Sequence, residues 1–277
     1  MSIIFALLST CSIGLSDFYA SNVTKRTRAN EVSSTVLFAG LLVMAGSSLF
    51  WTGRPTNSDF VHGAFAGVAN GVAVLLLLFA YSRGSLGSTA PTAAVIMSSV
   101  PVLWDVLVSG TSPSTITSIG LVLGVIAIAM TSYERGGSGS NRGGLIPAVL
   151  AGIVFGILFV ELSYISEDAG GTPLLIQRGT AFLVAMAVTR ATGPRIFPAK
   201  RRDFLVSFGA GIFAVAAVIL FVLALRGGSL AVVSVLGSQY AAVAVLLGVL
   251  FRGQRLWWCQ GVGLAGSSVS VALITLG

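Results

Sequence analysis

Apolar residues in this chain come in long unbroken runs. A helix of roughly 20 residues crosses a hydrocarbon layer about 30 Å thick. On that measure the runs predict ten helices, near 3–22, 33–51, 62–82, 86–109, 115–133, 145–166, 173–191, 203–225, 229–251 and 256–276. None alternates with period two, which excludes a closed barrel, the other fold that pairs its own backbone in lipid. The pattern is that of an all-α polytopic membrane protein. At the midpoint, "SYERGGSGSNRGG" (132–144) is polar and rich in Gly and Ser, the composition of a flexible linker. It divides the chain into 1–138 and 139–277, with five predicted helices in each.

The two halves carry the same break. "FAYSRGSL" (79–86) and "LALRGGSL" (223–230) both end an apolar run with Ala-x-x-x-Gly-Ser-Leu, between the third and fourth helix of their half. A fainter echo pairs "IGLSDF" (13–18) with "FGILFV" (155–160). Five crossings are an odd number, so the second unit enters the membrane from the opposite side. That makes an inverted repeat, a plan of secondary transporters that places the site near the midplane between the halves. Gly84, Ser85, Gly228 and Ser229 then form small, tight turns. Pro91 and Pro101 are kink points in the fourth helix, because proline removes an i→i−4 bond.

Composition agrees. Hydrophobic residues make up 55% of the chain and charged residues 9%, with a mean hydropathy of +0.95; soluble domains carry about a quarter charged residues. The net charge of +7 and pI near 10.1 do not indicate nucleic acid, because the Lys and Arg sit in short loops and form no basic face. Lys25, Arg26, Arg28, Arg83, Arg135, Arg142, Arg190, Arg195, Lys200, Arg201, Arg202, Arg252 and Arg255 flank odd-numbered connections, against Arg54 and Arg226 at even ones. The positive-inside rule puts the odd connections in the cytoplasm and both termini outside. The first run ends in "KRTR", where a signal-peptide cleavage site needs small residues. Cys11 and Cys259 both lie in apolar runs, offering neither a disulfide framework nor a zinc site.

Ionisable residues inside membrane helices are expensive and face an interior or a cavity. Four fall there: Asp17, Asp105, Glu161 and Arg178. At 1.5 Å rise per residue the depths of Glu161 and Arg178 differ by only ~5 Å, so they form either an ion pair between helices 6 and 7 or a contact to a charged substrate. Asp17 is either a solvated helix end near Lys25 or a carboxylate in the pathway that gains and loses a proton. Asp105, beside Trp104, reads as interfacial. Gln239 and Tyr240 lie deep enough to line a cavity. Asn70 shares its helix with Gly63, Gly67 and Gly71, a stripe for close helix contact, as Gly152 and Gly156 are on helix 6. Phe155 and Phe159 form either an aromatic wall or ordinary core. Enzyme chemistry finds no support: Ser229 has no base in sequence, the single histidine, His62, reads as a loop residue, and no Walker A, HExxH or cysteine cluster occurs. No metal or cofactor is expected.

"SQYAAVAVLLGVLFRGQRLWWCQGVGLAGSSVSVALITL" (238–276), with Tyr240, Gly253, Arg255, Leu256, Gln260, Gly261 and Gly266 in step, resembles the C-terminal end of EamA-type transporters of the drug/metabolite transporter superfamily. "IMSSVPVLWDVL" with Pro101, and "IGLSDFYASNVTK", resemble further family segments. Ala241 and Gln254 depart from the family's proline and glutamate. The resemblance implies two inverted five-helix repeats, with helices 1, 3, 4, 6, 8 and 9 lining a central cavity. It also implies export of a small metabolite, an amino-acid-like solute or drug, by alternating access across a bacterial plasma membrane. Proton coupling and uncoupled diffusion both fit it. The family's cytoplasmic termini oppose the charge count. The alternatives are an intramembrane enzyme and a non-transporting structural or receptor-like membrane protein.

Overall fold

The computed structural model describes residues 2–109, 114–132, 142–227, 233, 236–237, 239–252 and 257–276. These form α1 (Ser2–Val23), α2 (Ala29–Ser48), α3 (Asn57–Arg83), α4 (Leu86–Ser109), α5 (Thr115–Ser132), α6 (Leu145–Ser163), α7 (Thr172–Thr192), α8 (Arg201–Leu225), α9 (Tyr240–Arg252) and α10 (Trp258–Leu276), with short 3₁₀ turns at Arg142–Gly144 and Glu167–Ala169. No strand occurs among the described residues. Among the described residues six helices, α1, α2, α3, α6, α7 and α8, are long and apolar enough to cross a membrane. Large apolar side chains such as Ile3, Leu7, Val61, Phe65, Ile146, Leu150 and Leu183 point outward along them. An apolar exterior over several such helices defines a multi-pass helical membrane protein.

Two helices start earlier than their apolar runs. α3 begins at Asn57, because Thr56 and Asp59 form a capping box: Asp59 N donates to Thr56 Oγ1 (3.3 Å) and Thr56 N to Asp59 Oδ2 (2.7 Å). Two otherwise orphaned donors are thereby satisfied in a polar first turn. α2 starts at Ala29 because its polar turn faces inward; Ser34 Oγ meets Thr189 Oγ1 on α7 at 2.8 Å. The Gly84-Ser85 break is a tight turn. Gly84 caps α3 through its N–H to Ala80 O (2.8 Å) and accepts from Lys25 Nζ (2.8 Å), while Thr89 N donates to Ser85 O (3.0 Å). Pro91 and Pro101 lie within α4, a helix uninterrupted from Leu86 to Ser109. Gly228 and Ser229 lie outside the described residues.

Small residues set the closest helix contacts. Along α3, Gly63, Gly67 and Gly71 face the carbonyls of Pro173, Gln177 and Ala181 on α7. The pairing advances four residues on both helices at each step, so α3 and α7 run parallel. Gly152 meets the Ala93 carbonyl and Ile96, and Gly156 meets the Val100 side chain four residues further on, making α4 and α6 parallel neighbours. Gly14 on α1 lies against Tyr240 and Val243 on α9, and Gly211 on α8 against Val36 on α2. Backbones approach this closely only where no Cβ intervenes. α5 and α10 pack on each other at one side.

Candidate functional site

Where α1, α2, α3, α4, α6, α7, α8 and α9 meet, they leave a small, partly enclosed cavity of about 60 Å³. Its wall is mostly apolar, including Ile13, Leu37, Leu78, Met97, Leu158 and Val218. Into this wall the fold sets Ser16 and Asp17 from α1, Asn70 from α3, Arg178 from α7 and Tyr240 from α9. Phe155 and Phe159 from α6 complete it, and Phe159 stacks on Phe221 of α8 (centroids 4.3 Å apart, 20° between planes). Asp17, Asn70, Arg178, Tyr240, Phe155 and Phe159 are therefore brought to one chamber.

The polar groups there are buried. Asp17 is 6% exposed and accepts from Tyr81 Oη at Oδ2 (2.7 Å). Lys25, the neighbour expected from sequence, donates to the Gly84 carbonyl. The Tyr240 hydroxyl stands near Tyr81 and Asp17 without a well-directed hydrogen bond. Arg178 is 2% exposed; its Nη2 donates to Ala214 O (3.1 Å), and its Nε makes no hydrogen bond. Among the described residues, Asn70 Nδ2 and both amide atoms of the buried Gln177 likewise find no partner. Such groups normally find partners, because burial without one costs about 1–3 kcal/mol each.

Two residues of the predicted set lie elsewhere. Glu161 does not pair with Arg178: its Oε2 is 2.8 Å from His62 Nδ1, at the end of the helices marked by the 3₁₀ turn after α6. The His62 ring stacks on Tyr164 (4.9 Å), whose hydroxyl accepts from Trp104 Nε1 (3.0 Å), so the cluster ties α3, α4 and α6 together. Helix rise placed Glu161 and Arg178 at similar depth, but depth does not fix the face from which a side chain leaves its helix. Gln239 turns to α10: its Nε2 reaches Ser268 O at 3.5 Å, and Ser268 Oγ donates to its Oε1 at 3.2 Å. Tyr81 and Gln177 had no signal in the sequence: Tyr81 stands two residues before the end of α3, and Gln177 lies in the second turn of α7.

Among the described residues no group of three or more His, Cys, Asp or Glu could hold a metal ion. The chamber offers hydrogen bonds, one carboxylate, one guanidinium and aromatic surface.

Against known proteins, no family model matches the chain. It is 22% identical over 267 residues to a Lactobacillus johnsonii protein described as "Putative sugar uptake protein", covering 92% of this chain and 91% of that one. A protein of known crystal structure superposes with a TM-score of 0.68 over 98% of this chain and 97% of its own, at 14% identity; the likeness establishes a shared fold.

Proposed function

We propose that this chain is a secondary transporter, not an enzyme, which carries a small metabolite by alternating access. In this reading ten membrane-crossing helices form two inverted five-helix repeats, residues 1–138 and 139–277. The observation that carries it is the chamber at the junction of the two halves, where helices of both contribute buried polar atoms that find no partner among the described residues. Hydrogen bonds between membrane helices contribute only around 1 kcal/mol, so packing gives little reason to keep unmet polar groups there. A bound solute supplies the partners.

The helix pairing supports the repeat. Exchanging each helix for the one five places along turns the α1–α8 contact into α6–α3, α2–α8 into α7–α3 and α1–α9 into α6–α4, while α2–α7, α4–α9 and α5–α10 map onto themselves. With five crossings between the partners of each exchange, the two units of this reading are inverted. The name of the full-length relative also favours transport, and the EamA-like segments favour the drug/metabolite transporter plan. Those segments favour export from a bacterial cell; the relative's name favours uptake.

The test is solute counterflow into liposomes holding the purified protein, with and without a pH gradient. Saturable flux above that of empty liposomes, lost in Arg178→Gln, is expected, and its response to the gradient reads proton coupling through Asp17 or Glu161. Flux equal to empty liposomes for every solute of a broad panel refutes the reading.

A further inference from the structure

We propose that an open pocket between the start of α2 and the ends of α3 and α7 holds the phosphate head group of an anionic phospholipid. The pocket encloses about 430 Å³ and shares no lining residue with the central chamber. Arg28, just before α2, Arg83, the last residue of α3, and Arg195, just after α7, line it. All three are exposed, and among the described residues none of them is in an ion pair. Glu31 is the one carboxylate in the lining; it is buried and also outside any such pair, so two positive charges are left over. Other cations at this end of the helices are engaged: Arg26 with Asp203 (2.7 Å), Lys25 with the Gly84 carbonyl (2.8 Å) and Arg190 with the Pro194 carbonyl (3.3 Å).

Charge and position together select the ligand. Like charges gathered round one cleft raise the local concentration of anions, and guanidinium groups hold phosphate oxygens in two-pronged fashion. Within the lining the two halves are already joined: Asn30 Nδ2 donates to Thr192 Oγ1 (2.8 Å), and Thr189 Oγ1 to Asn30 O (3.1 Å). A head group bridging Arg28 or Arg83 to Arg195 adds to that joint. Hydrocarbon meets the pocket directly. Phe79, which lines it with the Arg83 guanidinium over its ring (4.4 Å to the centroid), continues the outward apolar stripe of Val61, Phe65 and Val68 along α3. Val188, one turn before Thr192 on α7, is exposed as well. A free phosphate would use the guanidinium groups alone, whereas a lipid also lays its acyl chains on the stripe. A zwitterionic lipid brings a cation of its own into a pocket that is already positive; an anionic lipid does not.

The experiment uses the full chain, delipidated in dodecyl maltoside, and reads its melting temperature and, by native mass spectrometry, the lipid it retains. Dioleoyl phosphatidylglycerol is the probe. It is set against dioleoyl phosphatidylcholine, which has the same acyl chains, and glycerol phosphate, which has the anionic group alone. Phosphatidylglycerol is expected to raise the melting temperature by several degrees and to bind roughly tenfold or more tightly than either. Arg28→Gln, Arg83→Gln and Arg195→Gln combined should remove that preference. Lys200→Gln, Arg201→Gln and Arg202→Gln combined take the same charge from the same end without touching the lining, and should keep it. Should the pocket variant fail to fold, the single substitutions are used instead, each weakening phosphatidylglycerol binding severalfold. Phosphatidylcholine or glycerol phosphate matching phosphatidylglycerol, equal loss in the pocket variants and the Lys200–Arg202 variant, or no response to phosphatidylglycerol overturns the proposal. None of these readings depends on whether the chain transports a solute.

Discussion

Gly67→Ala is the sharpest probe of how the halves are joined. An added Cβ would lie 2.6 Å from the Gln177 carbonyl oxygen and 2.6 Å from Thr180 Cβ, where ordinary contact begins at 3.4 Å. Neither obstacle is the tip of a flexible side chain, so α3 and α7 must part by roughly 0.5–1 Å. Overpacking of this kind costs about 1–3 kcal/mol, and alanine returns about 0.5–1 kcal/mol over glycine inside a helix. The expected net loss is therefore about 0–2.5 kcal/mol, and the deficit against a glycine-to-alanine change in open space is the full cost of about 1–3 kcal/mol. Gly46→Ala and Gly209→Ala are the controls: nothing lies within 4 Å of their added Cβ atoms, so only the helix gain remains. Reversible unfolding in mixed micelles, followed by circular dichroism, reads all three. Asn70 and Arg178 stand within a turn of this contact, so solute affinity should fall along with stability. Gly67→Ala as stable as Gly46→Ala would refute the close approach, and with it the geometry of the chamber wall.

Tyr81→Phe removes the donor to Asp17 Oδ2. It should destabilise the protein by about 1–3 kcal/mol and weaken solute binding, both read by thermal unfolding with and without solute. Glu161→Gln should cost ~1 kcal/mol or less, because the His62–Glu161 side chains are 28% and 23% exposed and partly screened. Its effect should add to that of Arg178→Gln within about 0.5 kcal/mol, and a coupling above ~1 kcal/mol would mean that the two side chains do touch. A C-terminal reporter active only in the cytoplasm separates the charge count from the family habit: a silent reporter follows from the Lys and Arg distribution, and a strong signal contradicts it.

Much of the fold was legible because a bilayer imposes one length and one composition on every crossing. The boundaries that slipped did so for local reasons: the Thr56–Asp59 capping box drew α3 back to Asn57, and the inward-facing serines of α2 extended it into polar sequence. The glycine stripe of α3 could be read as a contact face, but its partner, the α7 backbone, could not. The site was harder. Asp17, Asn70, Phe155, Phe159, Arg178 and Tyr240 could be picked out as misfits or aromatics in apolar helices, since residue type and depth are visible along the chain. Azimuth is not. That is why Glu161 turned to His62 and Gln239 to Ser268, and why Tyr81, whose hydroxyl reaches inward from the end of its helix, passed unnoticed.

The central claim is that one chamber opens to each side of the membrane in turn. In a chain made cysteine-free through Cys11→Ser and Cys259→Ser, Asn70→Cys places a lone thiol in the cavity wall. Sealed vesicles of known orientation can then be treated with a membrane-impermeant maleimide from outside, or from within by preloading. The account predicts labelling from both sides, with solute slowing it on both. A thiol that reacts from one side alone, or from neither, contradicts it.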